Sequence, residues 1–201
     1  MDWSGGSSPV TSAPHPPVRI VSRRRVASNT KWHANFDHIT DDFGNEVSDY
    51  LTLEPAAPLP ECNISGVSVV PVIEGQVVLL HNYRHPIEAG GWEVVRGFID
   101  ADETPATAAL RELTEETGLT TVEKNLLPLG FSAPEPSTIA GKSAMFAAID
   151  CQSAEQRDMT EIGLGKPTRF DPSTILEMLN SFEIIYGSTE IALRRYLVLV
   201  G

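Results

Sequence analysis

Glu112, Glu115 and Glu116 lie close together in the chain, and their spacing decides what chemistry they can do. At 100° per residue on a helix they fall within roughly one 100° arc, while Ala106, Ala109, Leu110, Leu113 and Thr117 fall on the neighbouring arc. One stripe packs inward and the next presents acid. Like charges three or four residues apart repel by a few tenths of a kcal/mol, and carboxylates near a helix C-terminus face the negative end of the macrodipole. A cation reverses both penalties. Oxygen ligands with no accompanying sulfur suit Mg²⁺ or Mn²⁺ rather than zinc. Helix spacing alone leaves a second explanation open, a solvated acidic face.

The helix that must position these groups has legible limits. Thr104 suits the N-cap, Pro105 the first helical position and Gly118 a left-handed C-terminal stop, so the spacing predicts a helix over 105–117. A loop from Gly97 to Glu103 leads into it. Arg111 precedes Glu115 by four residues and can orient it, and Glu103, at the positive end of the helix, can reach back to Arg111.

Gly97, Glu103, Arg111, Glu112, Leu113, Glu115, Glu116, Gly118 and Leu119 fill one continuous pattern. It runs Gly, five residues, Glu, seven residues, Arg-Glu, an aliphatic, any residue, Glu-Glu, any residue, Gly, an aliphatic. This resembles the signature of the Nudix hydrolase family. A β-rich N-terminal segment, the Tyr83-Arg84 pair, the Trp92-Glu93 approach to Gly97 and a helical C-terminus resemble the family's ADP-ribose pyrophosphatase branch, over residues 18–200.

The resemblance implies an α/β/α sandwich with a mixed sheet and an N-terminal antiparallel β meander. It implies a homodimer in which one subunit's meander helps shape the other's site. The implied reaction is metal-dependent hydrolysis of the diphosphate bond in a nucleoside diphosphate linked to a sugar or similar group, with Mg²⁺ or Mn²⁺ as cofactor. Such a bond breaks as charge builds on its phosphate oxygens, so cations must be fixed where that charge develops. Glu112 and Glu116, one turn apart, would carry most of the metal coordination, with Glu115 adding a ligand or anchoring a metal-bound water. Gly97 would let backbone approach the metal, and the family pattern makes a backbone carbonyl beside it, at Arg96, a ligand. The general base of this branch lies on the loop after the strand 143–150, where Glu155, Asp158 and Glu161 qualify and Glu161 is preferred.

Two departures bear on the substrate. Val95-Arg96-Gly97 stands where the branch has Pro-Ala-Gly, so the Arg96 side chain can clamp a phosphate or pair with Glu112. Pro134-Glu135-Pro136-Ser137 resembles the branch's Pro-x-Pro-Gly segment, with Ser137 in place of glycine at a substrate-binding position. Trp32 suits base stacking or a core or interface position, and Arg84 a phosphate contact or a surface ion pair. His81 and His85 have no companion acid at ligand spacing and read as structural or exposed. The alternative function is a non-catalytic module that binds a nucleotide as sensor or regulator. Isomerisation on the same scaffold needs an additional acid/base pair that the sequence does not place.

The remaining elements follow from composition and pattern. The 201 residues fit one domain of ordinary size. A formal charge of −12 argues against a nucleic-acid partner, and Arg23-Arg24-Arg25 reads as an exposed strand edge. Cys62 and Cys151 form neither a disulfide framework nor a zinc spacing, no apolar run reaches a membrane span, and no secretory signal is visible, so a cytoplasmic protein is expected. Residues 1–17 read as a flexible tail, in which Trp3 and His15 have no inferred partner. Residues 18–60 read as a meander of strands over 18–27, 31–39 and 47–53, with a turn at 41–45 and a proline-rich linker at 55–60. The resemblance implies that residues 61–201 are the hydrolase domain. Its expected strands are 67–73, 76–83, 92–95, 127–132, 143–150 and 166–170, with a loop at 133–141, a polar loop at 151–161, and closing helices at 171–180 and 188–200.

Overall fold

A three-stranded antiparallel sheet, separate from the rest, opens the fold. Its strands are β1 (Val18–Ser28), β2 (Trp32–Asp41) and β3 (Glu46–Pro55), in the order β1-β2-β3. The computed structural model describes residues 17–57, 63–154 and 162–201. The turn between β2 and β3 forms because Asp41 Oδ1 accepts from the backbone N–H groups of Phe43 and Asn45 while Gly44 takes a φ of 85°. β1 is an exposed edge, and its arginines are held along their own sheet. Arg23 donates to both oxygens of Asp37, Arg23 and Arg25 share Glu54, and Arg24 lies over the Phe36 ring. The third strand runs to Pro55, into the stretch expected to be linker, because its far end finds backbone partners. Leu53 N–H donates to Thr138 O at 2.8 Å, and Ala140 N–H to Leu53 O at 2.8 Å. That pairing docks the meander on the loop at 133–141.

The central sheet begins with β4 (Ile64–Ile73) and β5 (Gln76–Arg84), two apolar strands joined at Glu74 and Gly75, both left-handed. These strands pair with each other only next to the turn, at Val72–Val77 and Ile73–Gln76, and then part. The following segment fills the gap as two strands rather than the single expected one. β6 (Ala89–Glu93) pairs with β5 and β7 (Val95–Phe98) with β4. At the crossing, the buried Val94 N–H donates to Thr189 Oγ1 instead of a strand partner.

Helix α1 (Pro105–Thr117) follows. Short β8 (Leu119–Thr120) leads to β9 (Leu126–Ser132), β10 (Lys142–Ala148), short β11 (Gln152–Ser153), β12 (Pro167–Phe170), α2 (Pro172–Asn180) and α3 (Gly187–Val200). The main sheet runs β12-β5-β4-β10-β9, with β6 on β5 and β7 on β4; β10 and β4 are parallel and the other pairs antiparallel. β8 and β11 pair apart from it, so part of the expected polar loop is strand.

Strand alternation builds a core on each face of this mixed sheet. Val67, Val69, Val95 and Phe146 pack with Ala108, Ala109 and Leu113 of α1. Val70, Leu79, Met145 and Ala147 pack with Ile175, Leu179, Leu193 and Tyr196 of α2 and α3. The result is the expected α/β/α sandwich. Cys151 is buried, which pushes its thiol up to about 11. Among the described residues no helix is long and apolar enough to cross a membrane. Trp3, His15, Cys62 and the base candidates Glu155, Asp158 and Glu161 lie outside the described residues.

Candidate active site

α1 is capped as its sequence dictates. Thr104 Oγ1 accepts from Thr107 N–H at 3.1 Å, Pro105 occupies the first turn, and Gly118, at φ 68°, donates its N–H to Thr114 O. With Ala109 and Leu113 buried against the sheet, Glu112 and Glu116 lie at its edge, 9% and 3% exposed. The Glu115 side chain is 44% exposed.

Arg111 ties the preceding loop to the helix. It donates to Glu103 Oε1 at 2.9 Å and Oε2 at 3.0 Å, to Phe98 O at 2.9 Å, to Glu112 Oε1 at 2.8 Å and to Glu115 Oε2 at 3.0 Å. Helix spacing anticipated Glu115 and Glu103; the contact to the adjacent Glu112 arises because the long side chain turns along the helix. Glu103 also accepts from Asp100 N–H, so both of its oxygens are engaged. The Arg111 guanidinium holds the Glu103 carboxyl below the ordinary carboxylate range, and Glu103, then Glu112, raise Arg111 in turn.

Gly97 sits against this array on β7. A Cβ at this position would lie 1.9 Å from both Cδ and Oε1 of Glu112. The Glu112 carboxylate therefore occupies the space of the missing side chain, beside the strand backbone. Opposite, a Cβ on Gly66 would meet Gly97 O at 2.9 Å, so the two glycines permit one close approach.

These groups line a cleft of about 960 Å³, together with Trp32, Lys31, Phe98, Arg84, Arg96, Lys142 and Ser143. Trp32 stands edge-on to Phe98 with centroids 5.3 Å apart, and Lys31 Nζ lies 5.4 Å from the Phe98 centroid. Arg84 is not a surface ion-pair residue. It donates to both oxygens of Glu93, at 2.6 and 2.5 Å, and Glu93 is fully buried. Nor is Arg96 paired with Glu112 in the structure; its side chain reaches toward Glu93 instead. Its Nη1 lies 4.0 Å from Glu93 Oε2. Recession from water lowers its pKa and so does Arg84, while Glu93 and Glu116 raise it.

Ser137 does not line the cleft; its hydroxyl donates to Glu135 and its carbonyl accepts from the Tyr50 hydroxyl at 2.6 Å. His81 packs edge-on to Trp92, consistent with a structural role. Sequence reasoning had singled out none of Phe98, Lys31, Lys142 or a role for Glu93. Phe98 had a signal, as the residue after Gly97 in a strand, but the others are recruited by folding.

The donor chemistry suits a hard dication. Glu112 and Glu116 supply carboxylate oxygens and the strand at Gly97 supplies backbone beside one of them. Glu115 is drawn to Arg111, and among the described residues no three His, Cys, Asp or Glu side chains converge as a ready metal cage.

The NUDIX domain family model matches residues 63–160, the segment that carries β4, β7 and α1. Over that segment the chain is similar to a Nudix domain. Its sequence is 34% identical over 126 residues to "Putative nudix hydrolase 2" of Caenorhabditis elegans, covering 59% of this chain and 54% of that protein. It is 44% identical over 57 residues to "ADP-sugar pyrophosphatase" of Mus musculus, covering 26% of each. The chain thus spans about half the length of the first relative and about a quarter of the second. The chain's fold is that of "Crystal structure of ADP compounds hydrolase", with a TM-score of 0.74 at 20% identity over 94% of this chain and 96% of that one.

Proposed function

We propose that this protein hydrolyses the diphosphate bond of a nucleoside diphosphate joined to a sugar or similar group, of the ADP-ribose or nucleotide-sugar type, with water attacking phosphorus. The observation that carries this reading is the Glu112 carboxylate lodged in the space left by Gly97, within a cleft whose other flank bears Arg84 and Arg96. The similarity to a relative named ADP-sugar pyrophosphatase supports the substrate class.

Glu112 and Glu116, with the backbone at Arg96 and Gly97, would hold Mg²⁺ or Mn²⁺; bound there, the cation supplies charge neutralisation at the phosphate oxygens and a more acidic attacking water. Arg111 holds Glu112 and Glu115 in position, and Glu103 holds Arg111. Glu115 would add a further carboxylate ligand or orient a water at that site. The proton of the attacking water passes to an acid of the 155–161 stretch, for which Glu161 is the preferred candidate. Trp32 and Phe98 offer aromatic surface to the base or sugar. The protein works as a homodimer through its meander, whose Val18, Ile20 and Val21 are 58%, 57% and 57% exposed.

The test is incubation with Mg²⁺ or Mn²⁺ and ADP-ribose, UDP-glucose, GDP-mannose, a dinucleoside polyphosphate or NADH, with the products resolved. Hydrolysis of a nucleoside diphosphate sugar to two monophosphates is expected. Glu116→Gln should lower kcat by at least about 100-fold while leaving the fold intact. No turnover of any compound, with metal-dependent binding of one, would point to a nucleotide sensor instead.

A further inference from the structure

We propose that the Arg96 side chain is a phosphate-binding group of this cleft, and that Glu93 and Arg84 form the rigid mount beside it. The proposal deepens the reading of the cleft as a diphosphate site and rests on it.

Three charged groups meet here. Glu93 is fully buried, and Arg84 occupies both of its oxygens, with Nε on Oε1 at 2.6 Å and Nη2 on Oε2 at 2.5 Å. Such a bidentate pair satisfies the buried carboxylate by itself. Arg96 is the second cation on the same acid, yet its nearest approach is 4.0 Å from Oε2, beyond hydrogen-bond reach. Among the described residues no hydrogen bond engages its guanidinium. Arg96 is thus a second cation beside an acid whose two oxygens Arg84 already takes.

A structural role for Arg96 would put its donors on an acceptor. Instead its side chain is 36% exposed and lines the cleft. Its planar fork carries donors spaced for two oxygens of one phosphate. Gly97 faces α1 and the Glu112 carboxylate, while Arg96, the residue before it, reaches toward Glu93 and lines the same cleft. One cleft thus presents carboxylates on one flank and an uncommitted fork on the other. A diphosphate fits both, with one phosphate toward the helix and its neighbour on Arg96. The fork asks for phosphate oxygens and reads nothing of the base or sugar.

Titration calorimetry with inorganic pyrophosphate and with ADP, in EDTA, isolates this contact from any metal. Wild type should bind both, and R96A should bind about tenfold to a hundredfold more weakly, the scale of a charge-assisted hydrogen-bond pair. R96Q keeps the side-chain length, removes the charge and should show the same loss, so it carries the measurement if R96A does not fold. On a substrate that turns over, R96A and R96Q should both lower kcat/KM by about tenfold or more. Equal pyrophosphate affinity in wild type and both variants, no binding by wild type, or an unchanged kcat/KM would each overturn the assignment. The outcomes separate the two readings. Pyrophosphate binding lost in R96Q without turnover of any nucleotide sugar sinks the enzyme reading alone; turnover indifferent to R96Q sinks the role of Arg96 alone.

Discussion

Gly97 joins backbone to carboxylate at the centre of the site. Its value lies less in backbone freedom than in space, since the Glu112 carboxylate occupies the volume a side chain would need. The atoms in the way are the far end of a flexible side chain, so Gly97→Ala should be accommodated by swinging Glu112 aside. The expected outcome is a thermal midpoint within a few degrees of wild type but weaker Mn²⁺ binding by titration calorimetry, because the carboxylate no longer stands beside the strand. A large fall in midpoint with unchanged Mn²⁺ affinity would contradict this account. Arg111 works at the same scale. Five hydrogen bonds from one guanidinium reach Glu103, Phe98, Glu112 and Glu115, so the loop and helix move as one.

Among elements, α1 and the meander show two different sources of order. α1 is ordered locally at its ends and by packing in its middle. Thr104→Ala should cost about 1 kcal/mol in urea unfolding through the lost acceptor for Thr107 N–H, with no change in the buried face. The meander has little apolar interior and relies on ion pairing around Asp37, which is 3% exposed and accepts from Arg23 and Thr52. Arg23 holds the Asp37 carboxyl below its ordinary 3.8 despite the opposing effect of burial. A carboxylate with a depressed native pKa contributes stability above its unfolded value and loses it as pH falls through the native one. Wild type should therefore exceed Asp37→Asn in thermal midpoint at pH 7, and the gap should close progressively below pH 3.8. A gap independent of pH would remove the charge from the explanation.

For the whole molecule, the question is what covers the meander. β1 is exposed along its length, and its apolar Val18, Ile20 and Val21 lie on a sheet tied to the rest through β3 and the loop at 133–141. Light scattering should give the mass of a dimer for wild type. Val21→Asp, changing a side chain that touches little in the isolated chain, should give a folded monomer. A monomeric wild type would remove the proposed assembly. The sandwich explains why the site lies where it does: β7 borders β4, α1 packs over that pair, and the cleft opens beyond the strands where Gly66 and Gly97 let two backbones approach.

Most of the element order was legible because it is written in local chemistry. The caps of α1, the glutamate spacing, the turn at Asp41 and the apolar runs of β4 and β5 each act over a few residues, so the chain alone determined them. The division of residues 89–98 into two strands was not legible. It depends on β4 and β5 parting beyond their turn, and on Thr189 arriving from a distant helix to meet the Val94 N–H. The same limit applies to side chains. Sequence determined that Arg84, Arg96, Ser137 and Trp32 carry suitable groups; only the tertiary structure decided that Arg84 locks onto Glu93, that Ser137 turns to its own loop, and that Trp32 meets Phe98. Helical spacing placed the glutamates on one face, but what stands opposite them comes from residues far apart in the chain, and such distances are set only when the sheet closes.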